Sequence, residues 1–457
     1  MRRYCRGILA AILLFLPCAG ASSRAQAQSD SATRPAAAGG LTQGTVPGEK
    51  PANAASEKKE TEKYLLSADR YEKAIALSRA EYVLYFVSFF YGLLVINGIL
   101  RLGIAAKYRD LAERVSDIRL VQAVIFTPLL FLTVAILKLP LRIYGHELSL
   151  RYEQSVQGWA SWAGDWTKGE AIVLVIGSLL VLILFAVVRR SPRRWWFYFW
   201  AAALPIALAT TFVSPWVIDP LFNSFEPLNA KHPELVRAIE RVVQRAGMTI
   251  PPEKMFLMKA SEKRKTIDAY VTGFGASKRV VVWDTTIEKT TTNETLFVFG
   301  HEMGHYVLNH VRNGFFAIAA SLLLIFYLSF RGLHWMLDRW GSAWRVRGPE
   351  DWASLAAMLL VLSVILFLAS PIFAGISRYQ EHQADIYGLE VIRGIVPNSA
   401  EVAAHAFQVL GQVDLADPNP PAFITFWLYS HPPLADRLVF AHTYDPWSKG
   451  ESPRYVK

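Results

Sequence analysis

His301, Glu302 and His305 form an HExxH pattern in the run Gly300-His301-Glu302-Met303-Gly304-His305. On a helix, side chains four apart lie one turn apart on the same face, so both imidazoles can reach one metal ion. Glu302 stands one step round from His301, where its carboxylate can act as general base on a water beside that ion. Two imidazoles holding one Zn²⁺ per chain, with a carboxylate moving the proton, is a hydrolytic arrangement. The plainer alternative is two incidental histidines on an apolar helix. Leu296, Phe297, Val298 and Phe299 before the motif, and Tyr306, Val307 and Leu308 after it, support the helix itself. Asn293 or Thr295 is the expected cap.

Catalytic zinc takes a third protein ligand. A third histidine at the usual spacing would need glycine and histidine where Leu308 and Val311 stand, so that class is excluded. His310 falls on the opposite side of a straight helix from His301 and reads as a supporting histidine. A glutamate from a later helix is the better candidate. In Ser377-Arg378-Tyr379-Gln380-Glu381-His382-Gln383-Ala384-Asp385, Glu381 and Asp385 share a helical face. One carboxylate can bind the metal while the other orients a ligand imidazole through its free N–H. The same spacing would suit a solvated, charged face. His382 competes as a ligand but points about 100° away from Glu381. A third cluster is Tyr429-Ser430-His431-Pro432-Pro433-Leu434-Ala435-Asp436-Arg437. Its prolines fix an extended turn that presents His431, and a helix starting near Leu434 carries Arg437. Both side chains suit a developing oxyanion or a substrate carboxylate.

Much of the chain must position these groups within a membrane. Of its 457 residues 53% are hydrophobic, and the excess lies in long runs. Six runs reach the roughly 20 residues that a helix needs to cross a bilayer: about 82–104, 120–144, 171–188, 195–217, 315–337 and 353–376. The net charge of +10 does not point to nucleic acid, because the arginines sit beside these runs. Arg109, Arg114 and Arg119, then Arg189, Arg190, Arg193 and Arg194, then Arg339, Arg345 and Arg347 mark three loops as cytoplasmic. Alternation puts residues 218–314 and 377–457 together on the exported side. Residues 1–27 read as a signal peptide, with Arg2, Arg3 and Arg6 before a short apolar core and Ala25-Gln26-Ala27 as the cleavage site; the alternative is an uncleaved first membrane helix. Both cysteines, Cys5 and Cys18, lie in that leader, so no disulfide framework is expected. Residues 28–60 are too poor in large apolar side chains to fold and read as a linker. The membrane part is then 61–217, with four spans, and the catalytic part 218–457, with two more.

Within 218–314, an amphipathic helix is expected at 234–246 and strands at 254–258 and 280–283. The fold class expected is mainly α: a polytopic helical membrane protein with a small α/β catalytic portion.

Taken together, these clusters resemble the type I CAAX prenyl endopeptidases, integral-membrane zinc peptidases of the gluzincin class. The resemblance runs from about residue 82 to 440. It rests on 215–228 (PWVIDPLFNSFEPL), Gly273-Phe274, 278–285 (KRVVVWDT), 300–305 (GHEMGH), 377–385 (SRYQEHQAD) and 430–437 (SHPPLADR). It implies a helical barrel enclosing a water-filled chamber. His301, His305 and Glu381 would be the zinc ligands, Glu302 the base and Asp385 the partner of a ligand histidine. His431 and Arg437 would face the substrate or oxyanion. Asp268-Ala269-Tyr270 would belong to the substrate-binding edge strand, with Asp268 where the family usually has asparagine. The leader stands in for the family's first membrane helix. The reading is a membrane-embedded zinc metalloendopeptidase acting on peptide or protein substrates. It would lie in a bacterial inner membrane with its site on the periplasmic side; lipidated CAAX tails do not suit that side. The rival classes are a transport or binding protein with a structural zinc site, and a nonproteolytic scaffold. Nothing in the chain sets an oligomeric state.

Overall fold

The computed structural model describes residues 64–273 and 278–456. The expected leader and linker lie outside the described residues. Helix α1 is Ala68–Arg101, α2 Ile104–Val115, α3 Arg119–Arg151 and α4 Trp159–Arg190. Helix α5, Trp195–Val213, runs on through a π turn at Ser214–Ile218 to Phe222. After a sheet come α6 (Pro233–Arg245), α7 (Thr292–Val307), α8 (His310–Trp340), α9 (Ser354–Ile392), α10 (Ser399–Asp414), α11 (Ala422–Leu428) and α12 (Leu434–Thr443). Six of these helices (α1, α3, α4, α5 with its extension, α8 and α9) are long and apolar enough to cross a membrane. They match the expected spans but reach further at their ends. The sixth does not stop near residue 376. Helix α9 continues unbroken for 39 residues, about 58 Å at 1.5 Å per residue, against a hydrocarbon core of about 30 Å. Glu381 and Asp385 ride on the part beyond the apolar run.

The six long helices close a ring: α1 packs on α3, α3 on α4, α4 on α5, α5 on α8, α8 on α9, and α9 back on α1. The arginine-rich loops meet at one end of it. Buried Arg109 binds Asp351 at 2.6 Å and the Arg345 carbonyl at 2.8 Å. Arg347 reaches Glu113, and Arg189 the Glu350 carbonyl. At the other end Lys263, which binds Asp165 at 2.5 Å and the Phe222 carbonyl at 2.6 Å, ties the sheet to α4 and α5.

The sheet has the order β1-β2-β4-β3: Phe225–Pro227, Met255–Met258, Arg279–Trp283 and Ala269–Thr272. β2 and β4 are parallel, with Met255 opposite Val280; β3 is antiparallel to β4, with Ala269 opposite Val282. The strands alternate with period two. Met255, Leu257, Val280 and Val282 pack on α6 and α7 through Ile239, Val242, Phe297 and Phe299. Tyr270, Val281 and Trp283 pack on the other face. The two strands expected from sequence are β2 and β4; β1, only three residues long, has no signal at that level.

Candidate metal centre

Helix α7 carries HExxH, and its start is set by Thr291 rather than by Asn293 or Thr295. The Thr291 side chain accepts from the Glu294 N–H, and Glu294 accepts from the Thr291 N–H, a reciprocal capping box. The Thr-x-x-Glu spacing was the better sequence cue. Downstream, α7 ends at Val307, Leu308 caps it, and Asn309 turns into the left-handed region with φ 58°. That break, not a straight helix, swings His310 back until its Nδ1 lies 3.1 Å from His305 Nδ1.

Helices α7 and α9 cross at glycines. A Cβ on Gly388 would sit 3.0 Å from the His301 backbone nitrogen, and one on Gly304 3.2 Å from Ala384 Cα. This close approach places the carboxylates of α9 beside the imidazoles of α7. His301 Nε2 is 3.1 Å from Glu381 Oε2, His305 Nε2 is 3.6 Å from the same oxygen, and the two Nε2 atoms are 3.2 Å apart. Donors about 2.05 Å from a tetrahedral zinc would be about 3.3 Å from one another, so this triangle has the size such an ion requires. Three atoms able to accept converge there with 2–6% of each residue exposed, an arrangement that a cation relieves. Glu302, only partly buried, has a carboxylate oxygen within 4.8 Å of both imidazoles.

Asp385, fully buried, takes a hydrogen bond from His301 Nδ1 at 2.8 Å. With Nδ1 committed to Asp385, Nε2 faces the cluster and is the nitrogen that would give its lone pair to a cation on losing its proton. Burial pushes the His301 pKa down, but Asp385 and Glu381 outweigh it and hold it up at about 9. Burial lowers that of His305. Arg437, expected to face substrate, is instead 6% exposed and doubly bonded to Asp385, Nε to Oδ2 at 2.9 Å and Nη2 to Oδ1 at 2.6 Å. Its guanidinium lies 4.3 Å from the Phe407 ring centroid. Helix α12 starts at Leu434 as expected and delivers it there. His431 Nε2 is 3.0 Å from Glu381 Oε2, and its Nδ1 is 2.9 Å from Ser430 Oγ. His382 is exposed and packs on Phe440, away from the cluster. Asp268 immediately precedes edge strand β3; its N–H donates to Thr286 Oγ1, whose O–H donates back to the Asp268 carbonyl, both at 2.8 Å. Ala269 and Tyr270 open the strand, which packs against α7. Sequence reasoning missed the crossing glycines and Gln383, which binds His310.

Two family profiles match the chain: Peptidase family M48 over residues 229–444, and the CAAX prenyl protease N-terminal region, described as five membrane helices, over residues 54–224. The described part of the second match holds four of the six long helices. The chain is 34% identical to the uncharacterized metalloprotease YhfN of Bacillus subtilis, over 74% of this chain and 78% of that one. It is 25% identical to CAAX prenyl protease 1 of Saccharomyces cerevisiae, over 70% and 71% of the two chains. The crystal structure of S. mikatae Ste24p has the same fold, with a TM-score of 0.69 and 24% identity, covering 83% of this chain and 92% of that one.

Proposed function

This chain belongs to peptidase family M48 and is a multi-pass membrane metalloendopeptidase, and on that premise we propose that it uses one zinc ion held by His301, His305 and Glu381, with Glu302 as general base. The observation that carries the proposal is the triangle of 3.1, 3.2 and 3.6 Å between two Nε2 atoms and one carboxylate oxygen. His301, His305 and Glu381 would hold the ion, which when bound would supply Lewis acidity for the scissile carbonyl and for water. Glu302, on the open side of the cluster, takes the proton from the attacking water and returns it to the leaving amine. His431, beside Glu381, presents an imidazole N–H to the oxygen that becomes negative. Asp385 holds His301 in the required tautomer, and Arg437 holds Asp385.

The substrate is an extended peptide segment. It lies along edge strand β3, beside Asp268, Ala269 and Tyr270. The carboxylate of Asp268, just before that strand, would disfavour an acidic side chain nearby. The ring end that carries the arginine loops lies in the cytoplasm and the metal centre on the exported side, which in a bacterial inner membrane is the periplasm. Peptides and unfolded or membrane-inserted proteins on that side fit the site.

The test is cleavage of a peptide by the purified full chain. Chelation should abolish it and zinc restore it. Glu302→Gln should lower the rate by about 10²-fold or more, the usual weight of a positioned acid–base group, with zinc still bound. Cleavage that survives both treatments overturns the proposal.

A further inference from the structure

The second ligand imidazole is held through a chain of contacts that ends in the last described residues of the protein. His305 Nδ1 meets His310 Nδ1 at 3.1 Å, and His310 Nε2 meets Gln383 Oε1 at 3.2 Å. Gln383 Nε2 in turn donates to the Tyr455 hydroxyl at 3.0 Å and, at 3.4 Å, to that of Tyr379. With the amide oriented this way, protons can be placed along the chain in only one order. Oε1 accepts, so His310 carries its proton on Nε2. His310 Nδ1 is then an acceptor, and His305 must donate to it from its own Nδ1. His305 Nε2 is left as a lone pair aimed at the metal position. Were the amide reversed, its NH₂ would face His310, each proton would move to the other nitrogen, and His305 Nε2 would carry a hydrogen and bind no metal.

Tyr455 is itself pinned. Glu390, 1% exposed on α9, accepts from three successive backbone N–H groups, Arg454 at 2.6 Å, Tyr455 at 2.7 Å and Val456 at 2.8 Å, and from the Tyr444 hydroxyl. Releasing that segment would take three of these four donors from a buried carboxylate, which is costly. Gln383 and Glu390 are seven residues apart, two helical turns on the same face. A segment docked at Glu390 therefore reaches Gln383 with one side chain.

We propose that residues 454–456 belong to the metal centre as a positioning strap: Tyr455, clamped by Glu390, holds the Gln383 side chain against His310, so that when a cation takes the His305 Nε2 lone pair the His305 Nδ1 proton is satisfied through His310 and the Gln383 carbonyl, with the Tyr455 hydroxyl accepting from the amide NH₂. The inference rests on the zinc reading above. Its test is zinc affinity of the metal-free full chain, measured by competition with a chromophoric chelator, together with the visible spectrum of the cobalt-substituted protein. Gln383→Met keeps the shape but removes the acceptor, and should weaken zinc binding about 10- to 100-fold, the usual effect of losing such a partner. Gln383→Glu, which can only accept, should bind zinc as tightly as the native chain. Tyr455→Phe should weaken binding several-fold and shift the cobalt bands, as should a chain stopped after Pro453. Because the shortened chain can fail to fold, Tyr455→Phe, which removes one oxygen atom, is decisive for the strap. Native affinity and spectrum in both Gln383→Met and Tyr455→Phe overturn the proposal. Weakening in Gln383→Met alone overturns the part given to residues 454–456. A native chain that binds no zinc overturns the zinc reading instead.

Discussion

At the scale of single residues, the site depends on which nitrogen of each imidazole carries a proton. Asp385 accepts a hydrogen bond from the Nδ1–H of His301 and is itself held by Arg437. Asp385→Asn should weaken metal binding about 10- to 100-fold. It should also destabilise the protein by about 3–5 kcal/mol, because Arg437 would be buried without its counterion; thermal denaturation with and without zinc separates the two effects. A proton count is a sharper test. In the metal-free protein the His301 pKa is held up at about 9, so at pH 7 this imidazole is charged, whereas that of His305 is pushed down and the ring is neutral. Zinc must displace the proton on His301. Uptake at pH 7 should release about one proton, and affinity should fall about tenfold per pH unit as pH drops below about 9. Calorimetry in buffers of different ionisation enthalpy reads this directly; uptake with no proton release would contradict it. What was legible at this scale was the grouping of His301 and His305 by the HExxH spacing, while the Glu381–Asp385 spacing would equally have suited a solvated face, and that pair was placed at the site by the resemblance. The true neighbour of Arg437 was not legible. An arginine four residues after a proline pair looks the same in sequence whether it faces substrate or a buried carboxylate.

At the scale of elements, two helices decide the geometry. The motif glycines of α7 and Gly388 of α9 let the helices approach until imidazoles and carboxylates meet. In the sequence these glycines read only as weak helix formers, since their use lies in a neighbour nearly a hundred residues away. Gly388→Ala should cost about 1–3 kcal/mol, the range for overpacking, and should lower zinc affinity by displacing Glu381 from His301; a change in melting temperature without a change in affinity would show that the crossing is not what sets the ligand distances. The start of α7 was readable and was misassigned, because Asn293 and Thr295 are also good caps. Thr291→Ala should destabilise the protein by about 1 kcal/mol, measured by denaturation, and Thr295→Ala should not act through the cap. The length of α9 was not readable from hydropathy. The apolar run ends near residue 376, but nothing there ends the helix, and its polar extension carries Glu381, the proposed third ligand.

At the scale of the whole molecule, the ring of six long helices separates an arginine-rich end, tied by Arg109 and Asp351, from the end that carries the sheet and the metal centre. The six spans could be read from hydropathy because a bilayer demands apolar length; the order in which they close the ring could not, since that is set by side-chain fit between distant segments. If the two ends lie on opposite sides of the membrane, single cysteines replacing exposed Asp117 and Asn398 should react with an impermeant thiol reagent from opposite sides. Labelling of both from one side would contradict the proposed orientation. The central claim is that two imidazoles and one carboxylate hold zinc while leaving a position for chemistry. Its most direct measurement is X-ray absorption at the zinc edge of the purified protein, compared with His431→Ala. The expected result is one zinc with two nitrogen donors, one carboxylate and one oxygen from solvent, unaltered in His431→Ala. Four protein donors, with His431 among them, would make the ion structural and contradict the account.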